Sequence, residues 1–350
     1  MAVNKFSDLT YDEIISGFTG LSSNLNVIGR LAASGRQTFG NVYVPKDLGK
    51  EPEFIDYREK GAINPIRDQE KCRSCWAFSI VSSIESQIFL QYGQLVQLSE
   101  QNLVDCGNAY ATSGTEHDTC YYGGWPSINT KYVINHGISY RYKYPYTGKG
   151  GTVGDSCNEG VPKTSYRVIG GEDVQSGRDN ALLNALVHRG PISVCIYVSE
   201  DFPLYDKGVI EDDLCTADKA ANHAVVLVGY GNENGKNYWL IRNSWGKNVG
   251  DNGYYKLSRN VENHCQISSW GFIPVTGDAL ICTGGVIIGG QCLVFSQEKR
   301  LWVDAKTACE SQGQTLASLS DPQAVLDYVK EKYGNEIFFL GGSDAEKEGE

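Results

Sequence analysis

No apolar run in this chain is long enough to cross a bilayer. Asp8, Asp12 and Glu13 interrupt the first 20 residues where a secretory leader would need unbroken hydrophobicity. No membrane span is therefore expected, and for a chain of otherwise secreted texture the natural N-terminus is expected to lie upstream. Clustered lysines and arginines are lacking as well. With 31 basic against 42 acidic residues the net charge is −11, which argues against a nucleic-acid partner. There is no Asn-x-Ser/Thr acceptor, no repeat of solenoid length and only one methionine. The glycine-rich stretches 148–154 and 284–290 do not lead from a strand into a helix with the needed lysine or acidic partner, so they read as turns and linkers rather than phosphate loops. No cofactor and no metal are expected.

What the chain does have is cysteine, glycine and tyrosine. Eleven cysteines, mostly far apart, point to an oxidising compartment, and their odd number leaves at least one thiol over. Three regions follow from texture. Residues 1–52 are polar, lack cysteine and end in Pro45 and Pro52, which favour extended backbone. Residues 53–276 hold eight cysteines, with a helical early half and a strand-rich later half. The predicted strands run through Ala224-Val225-Val226-Leu227-Val228-Gly229-Tyr230 and Asn237-Tyr238-Trp239-Leu240-Ile241-Arg242, with a turn over 231–235 between them. Residues 277–350 contain two short predicted helices, 302–309 and 321–329, the second opening on Asp321-Pro322.

The chemistry gathers on Gln69-Glu70-Lys71-Cys72-Arg73-Ser74-Cys75-Trp76-Ala77-Phe78. Phe78, Val81, Ile84, Ile88 and Phe89 recur at spacings of three and four, which predicts an amphipathic helix starting at the thiol of Cys75. Ser74 is expected to cap it, and the positive end of the helix dipole to favour the thiolate. On this stretch alone, Cys72 and Cys75 read equally as two bridge ends or two metal ligands. A nucleophilic thiol needs a base. His117, His136, His188 and His264 sit in loops, at helix ends or beside a cysteine and read as surface or capping residues. His223 opens an apolar strand, and the following strand ends in Asn243-Ser244-Trp245-Gly246, where an amide beside an indole could fix an imidazole.

Residues 69–78, Asn222-His223-Ala224-Val225 and 238–246 together resemble the three active-site blocks of the papain family of cysteine peptidases, the group that includes the cathepsins. The resemblance covers residues 53–275. It implies an α+β fold of two lobes, one helical and one resembling a β-barrel, with the active-site cleft between them. It also implies Cys75 as nucleophile, His223 as general base and then acid, Asn243 as the residue that orients His223, Gln69 as an oxyanion donor and Trp245 as a cover over the His–Asn contact. The implied activity is that of an endopeptidase working through a thioester at Cys75. Where relatives carry glycine, this chain has Glu70 and Arg73. Arg73, near the S1 side, is expected to favour an acidic or neutral residue before the scissile bond.

Cys120-Tyr121-Tyr122-Gly123-Gly124-Trp125-Pro126 resembles the family's glycine-pair wall, where bare backbone pairs with an extended substrate. Matching positions put Trp125, Pro126, Cys195, Ala224 and Trp270 around S2, with Trp270 shortening the pocket so that small aliphatic side chains are preferred over Phe or Arg. The implied bridges are Cys72 to Cys120, Cys106 to Cys157 and Cys215 to Cys265, leaving Cys75 free and Cys195 as a buried thiol.

Asn4-Lys5-Phe6-Ser7-Asp8-Leu9-Thr10 resembles the family's propeptide motif, which implies a zymogen whose pro-segment lies in the cleft until acid loosens it. The earlier helices of such a pro-segment are absent from this sequence, so weak autoinhibition is expected, and a disordered tail is the alternative. The mature enzyme would begin near Glu53, with Tyr57 where Trp is usual. Residues 282–350 resemble the first half of a C-type lectin-like domain, an incomplete α+β piece. Cys282 and Cys292 would bridge its entry hairpin, 337–342 would begin its core sheet, and Cys309 would pair beyond Glu350. The sequence stops before the residues that would bind calcium or sugar, so no carbohydrate binding is expected. The implied partners are protein and peptide substrates, the chain's own propeptide and inhibitors of cystatin type, in a lysosomal, endosomal or secreted setting. Two other classes stay open: a papain-like binding module working with the lectin-like tail, and thiol exchange by Cys72 and Cys75.

Overall fold

The structure is a computed structural model. It describes residues 3–21, 41–46, 51–107, 119–149, 157–216, 219–277, 286–288, 291–293, 295, 304–305, 307–308 and 322–333. The chain forms two compact units, Met1–Gly277 and Asp278–Glu350.

In the first unit, α1 (Tyr11–Phe18) precedes β1 (Ile55–Asp56). There follow α2 (Cys75–Tyr92), α3 (Glu100–Cys106), the single turn α4 (Thr119–Tyr122) and α5 (Pro126–His136). The later half supplies β2 (Arg167–Asp173), α6 (Asp179–Arg189), β3 (Ile192–Ile196), β4 (His223–Glu233), β5 (Lys236–Arg242), β6 (Tyr254–Ser258) and β7 (Gly271–Gly277). The strands pair in the order β2-β7-β3-β4-β5-β6, with β1 also on β4, and all these strand pairs are antiparallel. The β4–β5 hairpin turns on Asn234 and Gly235, both with positive φ (54° and 84°), the conformation a tight two-residue turn requires.

Helix α2 departs from the expected amphipathic pattern, because its polar residues are buried too. Ser79, Ser82, Ser83 and Ser86 recur at helical spacing, and all four are 2% exposed or less. Ser79 Oγ donates to Val225 O at 2.6 Å and lies 2.6 Å from Ser193 Oγ, while Ser83 Oγ donates to Pro191 O at 2.8 Å. Ser82 Oγ accepts from Arg242 Nη1 at 2.6 Å, and Ser86 Oγ donates to Ala62 O at 2.9 Å. A stripe of small donors lets this helix approach the sheet closely while pairing backbone groups that burial would otherwise strand. Its opposite side packs Trp76, Ala77, Ile80, Val81, Ile84 and Ile88 in a cluster with Leu103, Ile128 and Val133 from the other helices. The helix is thus the partition between the helical and sheet halves, and has no solvent face over most of its length.

The partition also carries buried charge. Arg67 bonds Glu85 at 2.9 Å and pairs with Glu100, and Glu85 accepts further hydrogen bonds from Leu98 N (2.7 Å) and Asn64 Nδ2 (2.9 Å). These contacts satisfy carboxylates that would be costly in an apolar interior. Three disulfides, Cys72–Cys120, Cys106–Cys157 and Cys215–Cys265, close loops around the body, and Cys75 and Cys195 are buried free thiols.

In the second unit, β8 (Val286–Ile288) pairs antiparallel with β9 (Gln291–Leu293), and α7 spans Pro322–Tyr333. Asp304, Ala305, Thr307 and Ala308 are helical. Phe295 packs on Tyr328 with ring centroids 5.4 Å apart. Cys282, Cys309 and the expected strand 337–342 lie outside the described residues, as does His117.

Candidate active site

Two segments far apart in sequence build this site by backbone pairing. Residues Arg67–Gln69 run beside Ser244–Gly246: Asp68 bridges Trp245, Gln69 N donates to Ser244 O at 2.8 Å, and Gly246 N donates to Arg67 O at 3.1 Å. In the β4–β5 hairpin Val226 faces Arg242, so the same register carried three residues further sets His223 opposite Trp245. Their rings stack with centroids 4.8 Å apart. On the other edge of β4, Ala224 faces Cys195.

His223 is fully buried and lies 2.8 Å through Nε2 from Asn243 Oδ1. That same oxygen accepts from Ser244 N at 2.8 Å, which fixes which end of the amide is which. Because a carbonyl oxygen only accepts, Nε2 holds the proton in the neutral ring, and Nδ1 is left a buried acceptor with no hydrogen-bond partner. Across from it, Cys75 opens α2. The N–H of Ala224, the residue after His223, reaches Cys75 Sγ at 3.4 Å, so the β4 start and the α2 start meet at the thiol.

Gln69 is held by Ser244, whose Oγ donates to Oε1 at 2.6 Å, leaving Nε2 to donate to Cys72 O at 2.7 Å and to Phe18 O at 3.1 Å. Trp245 Nε1 donates to the same Phe18 carbonyl at 3.0 Å. The N-terminal segment therefore lies over the site instead of trailing as a disordered tail. Its helix α1 starts with a reciprocal cap between Thr10 and Glu13. Phe6 is buried edge-on between Phe18 (4.9 Å) and Trp245 (5.0 Å), and Lys5 Nζ is 2.8 Å from both Asp68 carboxylate oxygens.

Beyond α1 the chain passes over Cys75 at Gly20, whose N–H lies near enough to the sulfur to favour its charged form. Gly20 O accepts from Gly124 N at 2.9 Å, Thr19 O from Arg73 Nε at 3.0 Å, and Leu21 N donates to Asn222 O at 3.2 Å. The approach is so close that a Cβ on Gly20 would lie 2.1 Å from Arg73 O, and one on Gly123 (φ 67°) 2.1 Å from Gly20 O. Leu21 is buried in the cluster that holds Trp125, Cys195 and Ala224, with Trp270 packed against it. Trp125 and Trp270 have ring centroids 5.1 Å apart, and Pro126 is buried at the first turn of α5.

Two electrostatic expectations are overturned. Ser74 makes no side-chain cap; its Oγ lies 2.8 Å from Tyr146 OH, which in turn donates to Gln69 O at 2.7 Å. The thiolate is also disfavoured here. Burial pushes the Cys75 thiol up to about 11, against the opposing pull of the Ala224 N–H, Arg73 and the Gly20 and Trp76 N–H groups. Burial likewise pushes His223 down to about 4, with Asn243 opposing it. Desolvation by burial outweighs the helix terminus, so thiol and imidazole are both held toward their neutral forms in this state.

Of the other histidines, His188 is exposed and His136 stacks on Tyr132 at 4.8 Å. His264 is buried instead of at the surface, with Nε2 3.0 Å from Asp212 O. Cys72 is bonded to Cys120, so it is not available for thiol exchange or metal ligation with Cys75. Among the described residues, the candidate metal groupings are Cys215, His264, Cys265 and Cys106, Cys157, Glu159, and all four of their sulfurs are in disulfides.

The family model described as papain family cysteine protease matches residues 51–275. This chain belongs to that family. It is 37% identical over 276 residues to cathepsin K of Mus musculus, covering 78% of each chain, and 36% identical over 284 residues to a cathepsin L-like peptidase of Aedes aegypti, covering 79% of this chain and 78% of that one. Among solved structures it is similar to the ragweed pollen cysteine protease Amb a 11 in its proform, with a TM-score of 0.67 and 31% identity over 79% of this chain and 82% of that chain. Procathepsin L2 from the Tenebrio molitor larval midgut is comparable, with a TM-score of 0.66 and 30% identity over 79% of this chain and 83% of that one. The chain is a cysteine protease in zymogen form. Among the described residues, no helix is long and apolar enough to cross a membrane.

Proposed function

We propose that Cys75, His223, Asn243 and Gln69 carry peptide-bond hydrolysis through a thioester, and that residues 1–52 hold the site shut until they leave it. The observation that carries this reading is the arrangement of His223. It is gripped at Nε2 by Asn243 and covered by Trp245, its Nδ1 has no hydrogen-bond partner, and the N–H of the next residue, Ala224, reaches Cys75 Sγ at 3.4 Å.

Once the segment lifts, solvent returns and a proton moves from Cys75 to His223 Nδ1. The thiolate attacks the carbonyl carbon, Gln69 Nε2 and the Cys75 N–H hold the oxyanion, and the imidazolium protonates the leaving amine. Water then enters through the same imidazole and frees the acid. Phe18 O, which now takes the Gln69 amide, occupies that donor in the closed form. Rapid acid quench of the activated chain during turnover should trap the acyl group of a peptide ester on Cys75. An acyl group on any other residue would overturn the assignment.

The pocket filled by Leu21 is read as S2, with Gly123 and Gly124 as the wall that pairs with substrate backbone. Arg73, which serves Thr19 in the closed form, is read as facing the residue before the scissile bond, so that Glu or Gly there turns over faster than Arg. A clear preference for Arg would end that reading. Three further readings rest on sequence: acid activity in a lysosomal, endosomal or secreted setting, inhibition by cystatin-type proteins, and a C-type lectin-like origin for residues 277–350. The hairpin of β8 and β9 and the helix α7 agree with the third. Retention of the full chain on a carbohydrate column in a calcium-dependent manner would contradict the expected lack of sugar binding.

A further inference from the structure

We propose that Cys195 is the resolving thiol for Cys75, so that hydroperoxide converts the exposed active site into a reversible Cys75–Cys195 disulfide. This rests on the reading of Cys75 as the nucleophile.

Placement supports it. Cys195 and Ala224 are direct partners across the β3–β4 ladder, a relationship that sets their Cα atoms roughly 4.5–5.5 Å apart with side chains on one face. Ala224 N is 3.4 Å from Cys75 Sγ. Cys75, Cys195 and Ala224 share one apolar cluster with Leu21, and the two cysteines are the free thiols of the first unit, with 0% and 2% exposure. Leu21 packs in that same cluster and Gly20 lies against Cys75, so lifting this segment uncovers the two thiols together.

The balance is simple. The Cys75 thiolate attacks the peroxide oxygen, the O–O bond breaks, and one water leaves after protonation, giving Cys75 sulfenic acid. The Cys195 thiol then attacks that sulfur, the S–O bond breaks and a second water leaves. Two thiols lose two electrons and one hydroperoxide is reduced. Without a neighbouring thiol, the sulfenic acid goes on to sulfinic acid, which dithiols do not reverse.

The test uses the full chain brought to activity in acid, treated with hydrogen peroxide, mapped by mass spectrometry without reduction, and then given dithiothreitol. The expected result is loss of turnover in step with a Cys75–Cys195 linked peptide, and recovery of most activity on reduction. Cys195→Ala and Cys195→Val, each compared with its own unoxidised rate, should instead accumulate sulfinic acid at Cys75 and recover at least tenfold less. The idea fails if no linked peptide forms in the unsubstituted enzyme, a result that does not depend on either variant folding. It also fails if all three recover alike. Absence of turnover before any oxidant is added would overturn the peptidase reading itself, and this proposal with it.

Discussion

The carbonyl oxygen of Phe18 lies 3.1 Å from Nε2 of Gln69, so a residue of the N-terminal segment already occupies a donor read as part of the oxyanion site. Gln69→Ala tests that reading. In the processed enzyme, loss of one donor aimed at developing charge should lower kcat by about 10²–10³-fold with KM little changed. Steady-state turnover of a short peptide substrate checks this, and a variant within threefold of the parent would remove Gln69 from the machinery.

Gly20 tests the closing of the cleft by steric means alone. Its substitution by alanine places a methyl against Arg73 O, a backbone atom that cannot swing away. Overpacking of this kind costs about 1–3 kcal/mol, which weakens docking by roughly 5- to 150-fold. The full-length Gly20→Ala chain should hydrolyse peptide at neutral pH more than fivefold faster than the parent, while the two processed enzymes, which no longer contain residue 20, match. Equal rates in the full-length forms would mean that this contact does not hold the site shut.

Burial of His223 makes a pH prediction with a definite sign. Its docked value near 4 lies below the ordinary value of about 6.5, so an opened site takes up a proton that the docked site refuses. Docking by this group is therefore fully favourable above about pH 6.5 and is lost as pH falls toward 4, by roughly 3 kcal/mol in all. The effect should show in Cys75→Ser. In the unsubstituted chain the proton shifts from sulfur to nitrogen on opening, with no net uptake, so acid release there must draw on groups other than this one. Hydrogen-exchange protection of residues 11–21 in Cys75→Ser, corrected for intrinsic rates, should drop steeply between pH 6.5 and 4. A flat profile would contradict the assigned cause.

The buried Arg67 matters for the body more than for the chemistry. Arg67→Met leaves Glu85 and Glu100, each 1% exposed, without their main counter-charge and facing one another. A loss of about 3–5 kcal/mol is expected in denaturant unfolding at neutral pH, partly recovered as pH falls and a carboxylate is protonated. A loss below about 1 kcal/mol would show that the pair contributes little.

In the substrate pocket, Leu21 is a side chain already seated against Trp125, Cys195 and Ala224 with Trp270 alongside. A peptide library should give faster turnover with Leu or Val at the second residue before the scissile bond than with Phe or Arg. Strong selection of Phe would show that Trp270 does not shorten the pocket.

Periodicity found α2 and the β4–β5 hairpin, since both signals lie within a window of a few residues. It started the helix at Cys75 and followed it to Phe89, and the structure carries it on to Tyr92. What it misjudged was environment. The serines at 79, 82, 83 and 86 carry helical spacing as plainly as the apolar residues do, and that regularity was the available sign of a second buried face. Ser74 failed as a cap because Tyr146, 72 residues away, competes for its hydroxyl. The N-terminal docking was legible only through the propeptide resemblance and not through local pattern: Lys5 meets Asp68 and Phe18 meets Trp245 across separations no local pattern encodes. The neutral thiol has that origin too, since the apolar cluster that buries it gathers Leu21, Trp125, Cys195 and Ala224 from segments far apart in the chain.

Alkylation of Cys75 tests the central claim most directly. Iodoacetamide should leave the closed chain active on later acid treatment. After activation it should place one label on Cys75 and abolish turnover in proportion to labelling. Peptide hydrolysis that persists with Cys75 fully alkylated would contradict the account.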